Sequence, residues 1–436
     1  MKENKSASST RRVLLWALCA AHVFVAESRL LPRISSFDKQ LSFNGRRIIL
    51  SSAKNAITDN ESFLYATCSS QEETFKDNRC NVTLETPAFD GGATYRDFCM
   101  LQLAVTNPNT ESFTDLRLQP FGDDRALLSW LVKDHDWNSK YAVVRILPMS
   151  SCKYVDLVLP ADKLQAVLPN NQNGFDVVVR NKTFCGSENC RLSFDAQGKK
   201  IGGPTQFLAN VKFHKVSSLV PASRGPIGKG QPQFYALVTV PTEHRLSLLQ
   251  VGQDGKGSEL LTVPDHVIIK LSNSHDLLSA CWASERTNVT CRQFDSRANK
   301  KLGVVLEFID EPGFAPVRWV QPHNFGVLEP ELLLVTGQMR REDDRKFTSF
   351  SVIRIHSDGH RDRPLEVEGL EFKCTTIRDL HVDVSENDPE DELCIHFACE
   401  NTDYGEHGSK DSLKFGSRCI PRRHVTLAKR QPSVVN

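Results

Sequence analysis

Residues 234–263 read FYALVTVPTEHRLSLLQVGQDGKGSELLTV, and this stretch decides the fold. It opens on Phe234-Tyr235-Ala236-Leu237-Val238-Thr239-Val240, an almost unbroken apolar and β-branched run. A run of that length suits a strand covered on both faces. A more amphipathic strand follows, Leu246 to Val251. Gln253-Asp254-Gly255-Lys256 is then a tight polar turn, and Asp-Gly at such a place is a strong hairpin signal. A third strand, Glu259 to Val263, closes the unit.

The apolar strand recurs. Copies begin at Phe63, Ala126, Phe175, Phe234, Leu277, Leu332 and Leu393. The amphipathic partner recurs at Tyr141–Leu147 and Phe350–Ile355, and the turn at Asp195–Gly198 and Ser357–His360. A strand can also precede the apolar one, as Val267–Leu271 does. No segment carries a sustained helical period with caps at both ends. Seven units of about four short antiparallel strands predict an all-β chain, a seven-bladed β-propeller. Two packed β-sandwich domains are the alternative, because the repeat spacing is uneven and no WD or kelch signature is present. The expected blades are 45–106, 107–160, 161–209, 210–264, 265–309, 314–370 and 371–424. The likeness is to an architecture; no motif ties the chain to a named family.

The ends read differently. Arg11-Arg12 followed by the apolar run Val13 to Ala26 is a secretory leader, too short to span a bilayer comfortably. Cleavage is expected after Ser28, or alternatively after Ala21. Residues 1–28 are thus a signal peptide. Residues 29–44 form an N-terminal segment in which a stretch from Gln40 can close the last blade. The propeller occupies 45–424, and 425–436 is a flexible tail. No later stretch reaches transmembrane length. Leader removal takes Lys2, Lys5, Arg11, Arg12, Glu3 and Glu27 from the chain's 54 basic and 53 acidic residues, so the two signs stay balanced. Such a chain has no global field for nucleic acid or an anionic membrane.

Of the 13 cysteines, Cys19 lies in the leader. The remaining twelve are Cys68, Cys80, Cys99, Cys152, Cys185, Cys190, Cys281, Cys291, Cys374, Cys394, Cys399 and Cys419. An even set in a chain with a leader predicts full oxidation. Pairing between sequence neighbours is expected throughout: 68 with 80, 99 with 152, 185 with 190, 281 with 291, 374 with 394, and 399 with 419. No C-x-x-C occurs, so structural zinc is not expected. Four N-x-Ser/Thr triplets, at Asn60, Asn81, Asn181 and Asn288, become expected N-glycosylation sites.

Candidate chemistry is sparse. His214, His266, His323 and His381 fall in or beside the expected innermost strands and are the weak candidates for a metal in a central channel. No G-x-S-x-G, H-E-x-x-H, P-loop or dinucleotide fingerprint is present, and no cofactor is expected. The acids of 388–392 and the bases Arg340-Arg341 and Arg422-Arg423 read as solvated loop and tail charge. Pro221, Gly225, Pro226, Gly228, Gly230 and Pro232 mark a long loop in the fourth blade, and long loops on a rigid scaffold are where partners are met. The expectation is a secreted, extracellular binding protein whose partner is a protein or glycan. A metal-dependent propeller hydrolase or lactonase with a channel site is the alternative.

Overall fold

A computed structural model describes residues 40–421 apart from short breaks and the connecting segments 55–62, 71–78, 104–111, 223–232, 308–318, 326–330, 340–346, 369–375 and 385–391. Among the described residues the chain is nearly all strand. An N-terminal strand, β1 (Gln40–Phe43), comes first. The first sheet is β2 (Arg47–Lys54), β3 (Phe63–Ser70), β4 (Arg79–Pro87) and β5 (Ala93–Gln102). The second is β6 (Ser112–Phe121), β7 (Arg125–Lys133), β8 (Ser139–Pro148) and β9 (Val155–Leu159). The third is β10 (Lys163–Pro169), β11 (Phe175–Arg180), β12 (Asn189–Phe194) and β13 (Lys200–Gln206), with a one-turn helix α1 (Lys182–Cys185) between β11 and β12. The fourth is β14 (Lys215–Pro221), β15 (Phe234–Val240), β16 (Arg245–Val251) and β17 (Gly257–Pro264). The fifth is β18 (Ile269–Ser274), β19 (Leu277–Ala283), β20 (Asn288–Asp295) and β21 (Lys300–Glu307). The sixth is β22 (Trp319–Phe325), β23 (Glu331–Met339), β24 (Phe347–Ile355) and β25 (Leu365–Glu368). The seventh holds β26 (Thr376–Val384), β27 (Glu392–Gly405) and β28 (Gly408–Pro421), and β1 is its fourth strand, paired antiparallel to β28 from Gln40 opposite Lys414 to Phe43 opposite Asp411.

Each sheet is antiparallel, and in the first six the strands lie in sequence order, so the chain winds from an inner first strand to an outer fourth one; in the seventh β1 takes the outer place. The first strands follow one another side by side, β2, β6, β10, β14, β18, β22 and β26, and β26 also lies beside β2. This is a β-propeller of four-stranded sheets. It has two faces. Face A carries the first-to-second and third-to-fourth strand turns. Face B carries the second-to-third strand turns and the crossovers between sheets.

The second strands explain the sequence pattern. Along β7, Ala126, Leu128, Trp130 and Val132 pack into the core shared with the first sheet, while Leu127 and Leu131 pack into the core shared with the third. Along β15, Phe234, Ala236, Val238 and Val240 face the third sheet, and Tyr235 and Leu237 face the fifth. Side chains alternate across a strand, so a strand sandwiched between two sheets is apolar at most positions, with a few buried polar exceptions such as Ser129 and Asp176. That is why these runs lack the in–out alternation of a half-exposed sheet.

Neighbouring sheets are also joined at their turns. Gly255, in the β16–β17 turn, has φ +74°, and a Cβ there would sit 2.1 Å from the Gln206 carbonyl oxygen of the third sheet. The turn docks on the chain leaving that sheet: Leu208 N donates to Gly255 O at 2.7 Å, and Asn210 exchanges two 2.8 Å hydrogen bonds with Gly257. Gly198, in the β12–β13 turn, has φ +85° and rests against Ile146 and Leu157 of the second sheet. Only glycine combines the left-handed backbone with that approach.

The structure contains the Cys99–Cys152, Cys185–Cys190 and Cys281–Cys291 disulfides, and Cys80 is also disulfide-bonded, directly opposite Cys68 in the β3–β4 register. Cys99–Cys152 ties the first sheet to the second. The last sheet corrects the neighbour scheme. The β27–β28 register sets Cys394 directly opposite Cys419, whereas Cys399 stands opposite Lys414. Five strand steps then separate Cys399 from Cys419, about 17 Å, beyond the roughly 7 Å Cα limit of a disulfide. Cys374 lies outside the described residues.

Two outcomes follow for the bonds and the turns. Non-reducing peptide mapping should find Cys394 linked to Cys419 and Cys374 linked to Cys399; a 399–419 crosslink would contradict the register. Gly255→Ala should lower unfolding free energy by about 2–4 kcal/mol, from backbone strain plus overpacking. Gly186→Ala, at φ +66° with nothing within 4 Å of its Cβ position, should cost only about 1 kcal/mol. Denaturant titration of both variants checks the difference.

Candidate binding face and central strands

The described surface is indented on face A, between the second and third sheets. A cleft of about 710 Å³ is lined by three turns. Phe121, Gly122 and Arg125 come from the β6–β7 turn. Pro169, Asn170, Asn173 and Gly174 come from the β10–β11 turn, and Asp195, Ala196 and Gln197 from the β12–β13 turn.

Local chemistry fixes each wall. In the β10–β11 turn, Asn170 Oδ1 accepts from Gly174 N at 3.0 Å, and Asn170 Nδ2 donates to Asp176 at 3.3 Å. In the β12–β13 turn, Asp195 Oδ1 accepts from Gln197 N at 3.0 Å and Lys199 N at 2.8 Å, a side-chain-closed turn. A Cβ on Gly174 would collide with the Phe194 carbonyl oxygen, so that glycine lets two turns of one sheet meet. Arg125 joins the two sheets: its guanidinium donates to Ala196 O at 2.6 Å and lies 4.9 Å from the Phe121 ring centroid. Beneath it, Phe121 meets Phe175 edge-on at 5.4 Å, and Phe175 stacks on Phe194 at 5.2 Å. Phe121, the one aromatic ring of the lining, is thus backed by two buried rings. The rim offers a guanidinium, a carboxylate and the exposed amides of Asn173 and Gln197. Such a set recognises hydroxyl, amide or carboxylate groups by hydrogen bonding.

The Gly/Pro-rich loop of the sequence falls on the same face. It joins β14 to β15; residues 223–232 lie outside the described residues, but its two ends are clasped by the Ala222 N to Gln233 O hydrogen bond at 3.0 Å.

The candidate histidines do not form one group. His214 is exposed and immediately precedes β14, at face B; its N donates to Thr239 O at 2.9 Å, and its Nε2 is 3.2 Å from Lys163 Nζ. That lysine's pKa lies below its ordinary value, through desolvation first and then the nearby cations Arg180, Lys215 and Lys133, which outweigh Asp115. His323 is half-buried two residues from the end of β22, near face A. The inner strands run alike, so His214 and His323 sit near opposite ends, and convergence of all four fails at His214. His381 is on β26, opposite His396 of β27, and β26 adjoins β22. Strand position therefore places His323 and His381 toward one end. His266 lies outside the described residues. Among the described residues no three His, Cys, Asp or Glu side chains are grouped to hold an ion, and no helix is long and apolar enough to cross a membrane.

Two charge clusters escaped the sequence reading. Arg145 is 1% exposed; its guanidinium bonds both oxygens of Asp156 at 2.6 and 2.7 Å and lies over Tyr154 and Trp130. In the sixth sheet, Glu331 takes a two-pronged bond from Arg354, and His356 stands between Glu331 at 3.2 Å and Asp362 at 3.0 Å. Both join neighbouring strands of one sheet. The partners lie 6 to 25 positions apart, and only strand pairing brings them together.

No protein-family model matches the chain, and no curated protein resembles it in sequence. Solved structures similar in shape include a triple arginine-to-alanine mutant of AofleA from Arthrobotrys oligospora, with 10% identity over 78% of this chain and 97% of that one and a TM-score of 0.39. The β-propeller domain of the Trilobed protease from Pyrococcus furiosus has 10% identity over 88% and 94%, with a TM-score of 0.41. A mutant of prolyl oligopeptidase B from Galerina marginata has 10% identity over 88% and 55%, with a TM-score of 0.43. At these values the strand pairing, and not the likeness, carries the description of the fold.

Arg125→Ala should cost about 1–3 kcal/mol of stability, the range for a charged hydrogen bond lost at a partly buried carbonyl. Arg125→Lys should recover only part, because an ammonium cannot reproduce the planar contact with Phe121. Denaturant midpoints of both variants measure the effect.

Proposed function

We propose that the chain is a secreted, glycosylated, disulfide-stabilised propeller that binds an extracellular protein or glycan through face A. The observation that carries this reading is the cleft between the second and third sheets, where hydrogen bonds of Arg125, Asn170 and Asp195 hold polar groups around the Phe121 ring. Pre-formed concave sites of this size with a few fixed polar groups are what ligands fill. Oxidising export is supported by the leader at residues 1–28 and by the disulfides in the propeller.

Full-length protein harvested from culture medium should be screened by interferometry against an array of extracellular glycans and a panel of ectodomains. A double variant, Gln197→Asn with Lys199→Thr, creates an N-x-Thr triplet on the cleft rim. Once glycosylated, it should weaken the selected interaction by tenfold or more, about 1.4 kcal/mol, with folding unchanged. Unaltered binding by the rim variant overturns the site. Turnover of an ester, lactone or glycoside that is lost on chelation overturns the function and favours the channel hydrolase, with His323 and His381 the first residues to replace.

A further inference from the structure

The second-to-third strand connections of the first, third and fifth sheets share a feature that the other four lack. Each of these hairpins combines two cysteines with an N-x-Thr triplet within four residues of one of them: Cys80 precedes Asn81, Asn181 precedes Cys185, and Asn288 precedes Cys291. The hairpins of the second, fourth, sixth and seventh sheets carry no N-x-Thr triplet, and of these only the seventh contains cysteines, Cys394, Cys399 and Cys419. The fourth triplet of the chain, at Asn60, is N-x-Ser; it falls between β2 and β3 and lies outside the described residues.

The topology puts all three asparagines toward face B. Asn81 is the third residue of β4, and Asn288 the first residue of β20, opposite Glu307; both strands start from that face. Asn181 follows the last residue of β11 and begins α1. Its geometry suits a sugar. Asn181 Oδ1 accepts from Phe184 N at 2.9 Å and so caps the helix, while Nδ2 makes only a long, exposed contact of 3.4 Å to Asp162. Glycosylation substitutes Nδ2 and leaves Oδ1, so the cap and the sugar are compatible. The neighbouring disulfides, Cys185–Cys190 and Cys281–Cys291, together with the one at Cys80, hold the register of the connections that carry the triplets.

We infer that Asn81, Asn181 and Asn288 carry N-linked glycans that cover face B at alternate sheets, leaving face A for partners. This rests on the secretion proposed above. In the transfer, a bond forms from asparagine Nδ2 to the anomeric carbon of an oligosaccharide. That carbon's bond to a lipid-pyrophosphate leaving group breaks, and the displaced Nδ2 proton passes to solvent; no atom changes oxidation state. A branched, hydrated sugar excludes macromolecules from the surface around its anchor. Three of them on alternate sheets screen one end of the propeller.

The test uses the full chain secreted by cultured animal cells. Enzymatic release of N-glycans converts each occupied asparagine to aspartate, and peptide mass spectrometry should find that conversion at positions 81, 181 and 288. Lysine acetylation before and after release then reads the face. Lys182, beside Asn181, should become several-fold more reactive, while Lys199 and Lys256, exposed in the third-to-fourth strand turns, should not change. Thr183→Ala should abolish the glycan yet keep the Asn181 cap, so its denaturant midpoint should exceed that of Asn181→Gln, which loses both. Absence of conversion at two of the three positions, or equal changes at Lys182 and Lys199, overturns the inference. Full occupancy without any partner in the binding screen leaves this inference standing and removes the proposed function instead. Absence of the chain from the medium removes both.

Discussion

The structure depends on one constraint: the second strand of each sheet is buried on both sides. Trp130 and Leu131 are adjacent in sequence, yet they belong to different cores, one shared with the first sheet and one with the third. Tyr235 and Ala236 divide in the same way. Each apolar core lies between two consecutive sheets, so no sheet can be stable without its neighbours. The fold is quasi-one-dimensional along the ring, its stability residing in the interfaces between repeats. The last sheet draws its fourth strand, β1, from before the first sheet, so the first and last described strands are joined by backbone hydrogen bonds.

Around these cores the turns work between sheets. The glycines at 198 and 255 turn the chain tightly, and their lack of a side chain lets each turn rest on the sheet before it. Arg125 makes a comparable link from the second sheet to the third, through the Ala196 carbonyl. The cleft on face A is a by-product of the same construction: where a turn of one sheet leans on its neighbour, a walled gap stays between their inner turns. Its polar groups are held by backbone and side-chain hydrogen bonds that the turns require in any case. Groups held in this way before a ligand arrives lower the ordering cost of binding.

The buried charges follow a different logic. Arg145 with Asp156, and Glu331 with Arg354, His356 and Asp362, join adjacent strands within single sheets. Breaking such pairs strands an uncompensated charge, at about 3–5 kcal/mol. They act as internal clasps within the second and sixth sheets. The histidines that looked suited to a channel are governed by strand direction: His214 stands at the start of its strand and His323 near the end of its own.

The sequence by itself determined the architecture. Period-two burial on both sides requires uninterrupted apolar strands, and the Asp-Gly turns mark where the following strand reverses, so the repeat was legible from Phe234 to Val263 alone. It also determined the hairpin disulfides at Cys185–Cys190 and Cys281–Cys291, where short loops leave few partners. Only the tertiary structure decided what depends on register and on contacts between sheets. The Cys394–Cys419 juxtaposition was invisible because β27 and β28 extend well past Cys399 before turning, which moves the facing cysteine by five residues. The cleft was invisible because Phe121, Asn173 and Gln197 are unremarkable turn residues until two sheets pack side by side. A sequence records the preferences of each strand through local sterics and hydrophobicity. Which turn meets which, and at what distance, is set by packing between segments tens of residues apart, and no local pattern encodes it.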